Sequence, residues 1–254
     1  MPDDLSSLVR TDYKAVDKRD GVHSVIGWIR GDSDKLPILV DEGKPFGLVN
    51  DRAMTSRRLD QNAKLEGYAL VTRALPQTAS LAEAAARMAE LRAAFLPIED
   101  RKGKLVGYVA ALDVARRNGA VERSARDLAV PVRALRPDET LGDAVHAFGQ
   151  EFVDHLPVVS TEGRLEGVVH RRDVLLMSAD AGDKGRMDAH GERIHALRDA
   201  VSGFADAPEA LVRPDDSFER VASCLESWGY ALVVENNRLT GIVTPETLIR
   251  SLSH

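Results

Sequence analysis

The chain has 254 residues, 44% of them hydrophobic and 29% charged, with a formal net charge of −6. That is an ordinary globular mixture for one large domain or two of common size, and it excludes wholesale disorder and a generally basic nucleic-acid binder. A single cysteine, Cys224, rules out an internal disulfide, and no secretory leader or membrane-length apolar run is present, so a soluble, cytoplasmic protein without a membrane partner is expected.

In chain order, the first predicted element is a helix with Val22, Val25, Ile26 and Ile29 on one face and Asp20 near its start. A strand pair follows in LPILVDEGKPFGLV, residues 36–49. The same plan then returns. Leu81, Ala84, Ala85 and Met88 form a second helical face behind Ser80, followed by LPIEDRKGKLVGYV at 96–109. Leu141, Ala144, Val145 and Phe148 form a third behind Thr140, followed by LPVVSTEGRLEGVV at 156–169. Phe218, Val221, Ala222 and Leu225 form a fourth behind Ser217, followed by YALVVENNRLTGIV at 230–243. Each set falls at i, i+3, i+4 and i+7, the spacing of one helical face, and each leading Asp, Ser or Thr can cap free backbone N–H groups.

Four glycines, Gly47, Gly107, Gly167 and Gly241, occupy the same place in the four copies. A second helix follows each, clearest from Asp173 to Met177 and from Glu246 to Leu252. The irregular stretch between copies 3 and 4 begins as a Gly- and Asp-rich loop, and Ile194, Leu197 and Val201 then predict a short packed helix. The expected units are residues 1–60, 61–120, 121–178 and 204–254, with a linker at 179–203. A unit of this size buries too little surface to be comfortable alone, so the units should pair into two modules that pack again. The fold class is therefore α+β, four tandem β-α-β-β-α units in a disc-like, pseudo-symmetric assembly.

Unit length, the hydrophobic strand with its second-position proline, the ending GVVHRRD and the count of four resemble the cystathionine β-synthase (CBS) domain family. The likeness covers essentially the whole chain, copy 1 being the loosest, and the organisation is similar to that of γ subunits of AMP-activated kinases. It implies adenosine-nucleotide binding in clefts between paired units. The family places a Ser or Thr three residues after the anchor glycine, and an Asp six after it, against phosphate and ribose. Here no copy has both. Copy 1 has Asn50 and Ala53; copy 2 keeps Asp113 beside Ala110; copy 3 keeps Asp173 with His170; copy 4 keeps Thr244 with Thr247. Copy 3 is the leading candidate, since three potential cations, His170, Arg171 and His155, join the Asp173 carboxylate near a helix N-terminus. Asp113 and Thr244 are the secondary candidates.

The resemblance thus implies a non-catalytic sensor of AMP, ADP or ATP that requires no cofactor and acts on a separate effector protein, with or without self-association. Two alternatives stand beside it: a scaffold with decayed pockets, and a sensor of another adenosyl ligand such as S-adenosylmethionine or a cyclic dinucleotide. His190 and His195 lack the further ligands a metal site needs, and no nucleophile–base pair supports an enzyme.

Overall fold

A computed structural model describes residues 4–30, 35–56, 63–151, 153–180 and 196–251. His190, His195 and Ile194 lie outside the described residues. Copy 1 comprises β1 (Tyr13–Asp17), α1 (His23–Ile29), β2 (Leu36–Asp41), β3 (Lys44–Val49) and α2 (Asp51–Ser56). A short β4 (Ala69–Val71) leads to copy 2, with β5 (Leu75–Pro76), α3 (Leu81–Leu91), β6 (Phe95–Glu99), β7 (Leu105–Ala110) and α4 (Ala111–Arg117). After the single turn α5 (Ala125–Leu128), copy 3 contains α6 (Leu141–Gln150), β8 (His155–Val159), β9 (Leu165–His170) and α7 (Arg171–Asp180). Copy 4 closes the chain with β10 (Leu211–Val212), α8 (Phe218–Trp228), β11 (Ala231–Glu235), β12 (Arg238–Val243) and α9 (Pro245–Ser251).

The caps form where Ser and Thr precede a helix. Ser80, Thr140 and Ser217 accept hydrogen bonds from the backbone N–H groups of Glu83, Asp143 and Arg220. Asp20 does not act this way: α1 begins after Val22 without a side-chain cap. Where a helix was predicted over 194–201, the described residues make single 3-10 turns at Ala196–Arg198 and Val201–Gly203. Val201 is buried and Leu197 exposed, and the turn at Ala196–Arg198 packs on α6 and α7.

Each hairpin of a unit is antiparallel and carries a register shift beside its anchor glycine, where Leu39, Ile98, Val158 and Val233 face Gly47, Gly107, Gly167 and Gly241. A segment from elsewhere in the chain crosses each glycine. Leu70 and Val71 cross copy 1, Arg10 crosses copy 2, Asp206 crosses copy 3 and Val130 crosses copy 4. The lead-in to copy 1 thus completes the sheet of copy 2 and the lead-in to copy 2 completes that of copy 1; copies 3 and 4 exchange in the same way. The approach is too close for a side chain. A Cβ on Gly107 would lie 2.2 Å from the Arg10 carbonyl oxygen, and one on Gly47 would lie 2.4 Å from that of Leu70. This reciprocal exchange makes the two modules.

The modules meet through helices. α2 of copy 1 packs on α6 and α7 of copy 3, while α4 of copy 2 packs on α9 of copy 4. The four copies thereby close a pseudo-symmetric ring, 1 to 2 by exchanged strands, 2 to 4 by helices, 4 to 3 by exchanged strands and 3 to 1 by helices. One apolar cluster runs through copies 2, 3 and 4 and takes in Leu5. A smaller one joins copy 1 to Leu175 of α7. The second helices of copies 1, 3 and 4 start at the middle of this ring, which brings Asp51, Arg171 and Glu246 within electrostatic reach of one another. Among the described residues no helix is long and apolar enough to cross a membrane.

Candidate functional site

The residue three after each anchor glycine stands at the junction of the second strand and the second helix, and in copies 1 and 4 its side chain caps that helix. Asn50 accepts from the Ala53 N–H through its side chain at 3.1 Å. In copy 4 the Thr247 hydroxyl accepts from the Thr244 N–H at 2.8 Å and the Thr244 hydroxyl accepts from the Thr247 N–H at 3.3 Å, a reciprocal cap in which both side chains are buried. Thr244 is thus spent on closing its own helix. Asp113 is spent as well: Arg10 donates to both of its carboxylate oxygens, at 2.7 and 2.9 Å, from the segment that crosses Gly107.

Copy 3 differs. A cavity of about 880 Å³ opens at the end of β9, between copies 3 and 4 and against copy 1. Three of the four residues proposed for copy 3, His155, His170 and Arg171, line it; Asp173 does not, although it stands in the first turn of α7 with its carboxylate 3.6 Å from Arg172. His155 and His170 are cross-strand partners on β8 and β9, their rings edge to face at 5.0 Å. Tyr230 lies against His155 at 4.5 Å, and Trp28 and Trp228 complete an aromatic wall.

Burial pushes the His155 imidazole down to about 3 against the pull of Asp154, and the neighbouring His170 and Arg171 act in the same direction as burial. Burial also lowers His170, against the pull of Asp173 and Asp206; Asp206 lies 3.3 Å from its Nε2. Both rings are therefore neutral near pH 7, and the wall offers stacking faces and hydrogen bonds in place of cations. The buried Nδ1 of His155 has no hydrogen-bond partner among the described residues, a costly arrangement.

Arg171 is one of the largest fully buried side chains in the protein. Its Nε donates to Asp154 at 2.7 Å, Nη1 donates to the Phe148 carbonyl at 3.2 Å and Nη2 donates to the Val153 carbonyl, while the guanidinium lies over the Phe148 ring. It holds the α6–β8 turn and through it aims His155. The expectation of a free cation here is corrected in that sense: Arg171 lines the cavity with its charge already matched.

Sequence reasoning missed the middle of the ring. Asp51, the first residue of α2, stands where Arg171 stands in copy 3, four residues after the anchor glycine. With Arg52, Asp154 and Glu246 it lines a second cavity of about 210 Å³ beside the first. Burial drives both Asp51 and Glu246 up to about 7; the negative Asp154 acts in the same direction, while Arg171 opposes it at Asp51. The available signal was the change of sign at equivalent positions, Asp51 in copy 1 against Arg171 in copy 3, in a fold that brings those positions together.

The family model described as CBS domain matches residues 73–118, 125–180 and 201–254, more than half of the chain. Residues 1–72 are not matched, yet they carry the same order of strands and helices. Two solved structures are similar over nearly their whole length. One is a protein of Methanocaldococcus jannaschii described as a proposed archaeal homologue of γ-AMPK, with 15% identity, a TM-score of 0.79 and coverage of 97% of this chain and 99% of that one. The other is an uncharacterized conserved protein of Pyrococcus horikoshii, with 19% identity, a TM-score of 0.63 and coverage of 98% and 99%. At these identities the likeness is one of fold. No curated protein matches the sequence.

Proposed function

This chain belongs to the CBS domain family, and from that premise we propose that it is a non-catalytic regulatory protein that binds an adenosine nucleotide in the cleft of copy 3 and signals to a separate effector protein. The observation that carries this reading is the aromatic cavity at the β9–α7 junction, where His155, His170 and Tyr230 surround space for a purine nucleoside. Asp173, at the first turn of α7, is the carboxylate proposed for the ribose hydroxyls. The cleft of copy 3 spans both modules, with Trp28 and Asp51 coming from copy 1. A ligand there touches three copies at once, so its binding energy can favour one arrangement of the modules over another.

Isothermal titration calorimetry of the ligand-free protein against AMP, ADP and ATP tests this. Micromolar binding at one site is expected, and it should be lost in a His155→Ala variant. Flat titrations with all three leave a scaffold with closed pockets, a reading that the commitments of Asp113 and Thr244 favour. The carboxylates of the cleft favour a further adenosyl ligand, the cationic S-adenosylmethionine, as the next compound to titrate.

A further inference from the structure

The two cavities share a wall, since Trp28, Asp51 and Asp154 line both. Asp51 comes from the first module. Around it stand Arg52 on its own helix, Asp154 ahead of β8, Arg171 at the start of α7, Glu246 at the start of α9 and Arg92 at the end of α3. Of the cations, Arg171 is taken up by Asp154 and two carbonyls. On the cleft side, Asp206 and Glu209 add carboxylates, opposed by Arg172, which sits beside Asp173, and by two imidazoles that burial keeps neutral. With Arg171 and Asp154 set aside as a pair, Asp51, Asp206 and Glu209 stand against Arg172 among the charged residues that line the cleft proposed above for an adenosine ligand, so carboxylates outnumber cations on its walls.

We infer that this shared acidic wall sets the charge selectivity of the cleft, with Asp51 as a specificity-determining residue supplied by the opposite module, so that adenosine ligands of low negative charge enter and polyphosphates are turned away. The inference rests on the adenosine reading of the cleft. Like charges brought together where water is scarce repel strongly, and a polyphosphate would add several to a wall whose members already repel one another. Such a ligand binds only with proton uptake at the wall or with rearrangement of Arg171. A nucleoside, being uncharged, needs neither.

The test is calorimetric titration of adenosine, AMP and ATP into the wild-type chain and into Asp51→Asn, at pH 6 and pH 8. The wild type should bind adenosine and AMP at least about tenfold more tightly than ATP, with a wider gap at pH 8 than at pH 6. Asp51→Asn should strengthen ATP binding about tenfold and leave adenosine within about twofold. Glu209→Gln, at an exposed rim position, acts in the same direction and replaces Asp51→Asn if that variant does not fold. Binding without a charge order, or ATP affinity unmoved by these substitutions, overturns the inference and leaves the adenosine reading standing. Absence of binding by all three ligands in every protein overturns the reading and the selectivity together.

Discussion

The Arg171 guanidinium meets the Asp154 carboxylate at 2.7 Å, inside the turn that carries His155 into the cleft. The arginine is almost wholly buried and the aspartate is about one-third exposed, 1% against 37% for their side chains. This asymmetry decides what each contributes. Water can replace the arginine for Asp154, but nothing replaces Asp154 and the two carbonyls for Arg171.

Arg171→Ala should accordingly destabilise the protein by about 3 kcal/mol, since it empties a large buried volume and strands the carbonyls of Phe148 and Val153. Asp154→Asn keeps an acceptor for Nε but removes the counter-charge of a buried guanidinium, and should cost about 2 kcal/mol. Urea unfolding of both variants checks the order. Equal losses would mean that the pair, and not the carbonyl contacts, holds the turn.

His155 sets stability against binding. Its Nδ1 is buried without a partner among the described residues, a defect worth about 1–3 kcal/mol, while its ring stacks on Tyr230. His155→Phe keeps the ring and removes the defect, so the ligand-free protein should gain up to about 1 kcal/mol while AMP affinity falls at least about tenfold. Thermal unfolding and calorimetry on the same variant read the two effects. A gain in stability with unchanged AMP binding would remove His155 from the site.

The first helix faces, three of the four caps and all four anchor glycines were legible in the sequence because they are local or repeated features. A helix faces its core at a fixed period, and a glycine recurring at one place in four units signals a close approach whatever crosses it. The identity of the crossing segment was not legible: nothing in the string VRTDYK says that Arg10 will reach Asp113, since that contact depends on how copies 1 and 2 exchange their lead-in strands. The site divided on the same line. His155 and His170 are neighbours in a hairpin register, readable from one unit, whereas Asp51, Asp154 and Glu246 meet only when three copies close the ring. Asp20 shows the opposite limit, a sound cap residue placed two residues too early for the helix that forms.

Proton linkage at the middle of the ring runs in two directions. Asp51 and Glu246 are raised to about 7 in the folded chain, so the folded state holds more protons than the unfolded one between about pH 4 and pH 7. Their contribution is full below that window and is lost as pH rises through it. His155 is depressed to about 3, so in the unfolded chain it binds a proton that the folded chain refuses, and stability falls as pH drops from about 6.5. The slopes oppose each other in the wild type, and variants separate them. Relative to wild type, Asp51→Asn should gain about 1–2 kcal/mol between pH 5 and pH 8, and His155→Phe should gain as pH falls from 6.5 to 4.5. Parallel pH curves for either variant would show that the corresponding group titrates alike in both states.

Asp173 is the one proposed copy 3 residue outside the cavity lining, at the first turn of α7 with its side chain about one-third exposed. Its neighbour Arg172 is more exposed still, so the ion pair between them adds little to stability. Asp173→Ala should change unfolding free energy by less than about 0.5 kcal/mol. A lost charge-assisted hydrogen bond to the ribose should weaken AMP about tenfold or more. Unchanged AMP affinity in Asp173→Ala would leave the ribose to other groups of the cleft.

Gly107 and Gly149 separate the two reasons a protein keeps a glycine. At Gly107 a Cβ would sit 2.2 Å from the Arg10 carbonyl oxygen and 2.7 Å from the Val9 side chain, so Gly107→Ala must push the crossing segment away. That breaks the paired hydrogen bonds between Arg10 and Tyr108, 2.8 and 3.0 Å long, and loosens the Arg10–Asp113 ion pair. A loss of about 1–3 kcal/mol is expected. At Gly149, inside α6, a Cβ meets nothing within 4 Å, so Gly149→Ala removes only the conformational freedom of the unfolded chain and should stabilise by about 0.5–1 kcal/mol. Amide hydrogen exchange adds the positional test. In Gly107→Ala the Arg10 and Tyr108 amides should exchange faster while those of copy 4 keep their protection, because the exchange of strands ties copy 2 to copy 1 and its contact with copy 4 runs through helices. Uniform loss of protection around the ring would instead mean that the two modules unfold as one.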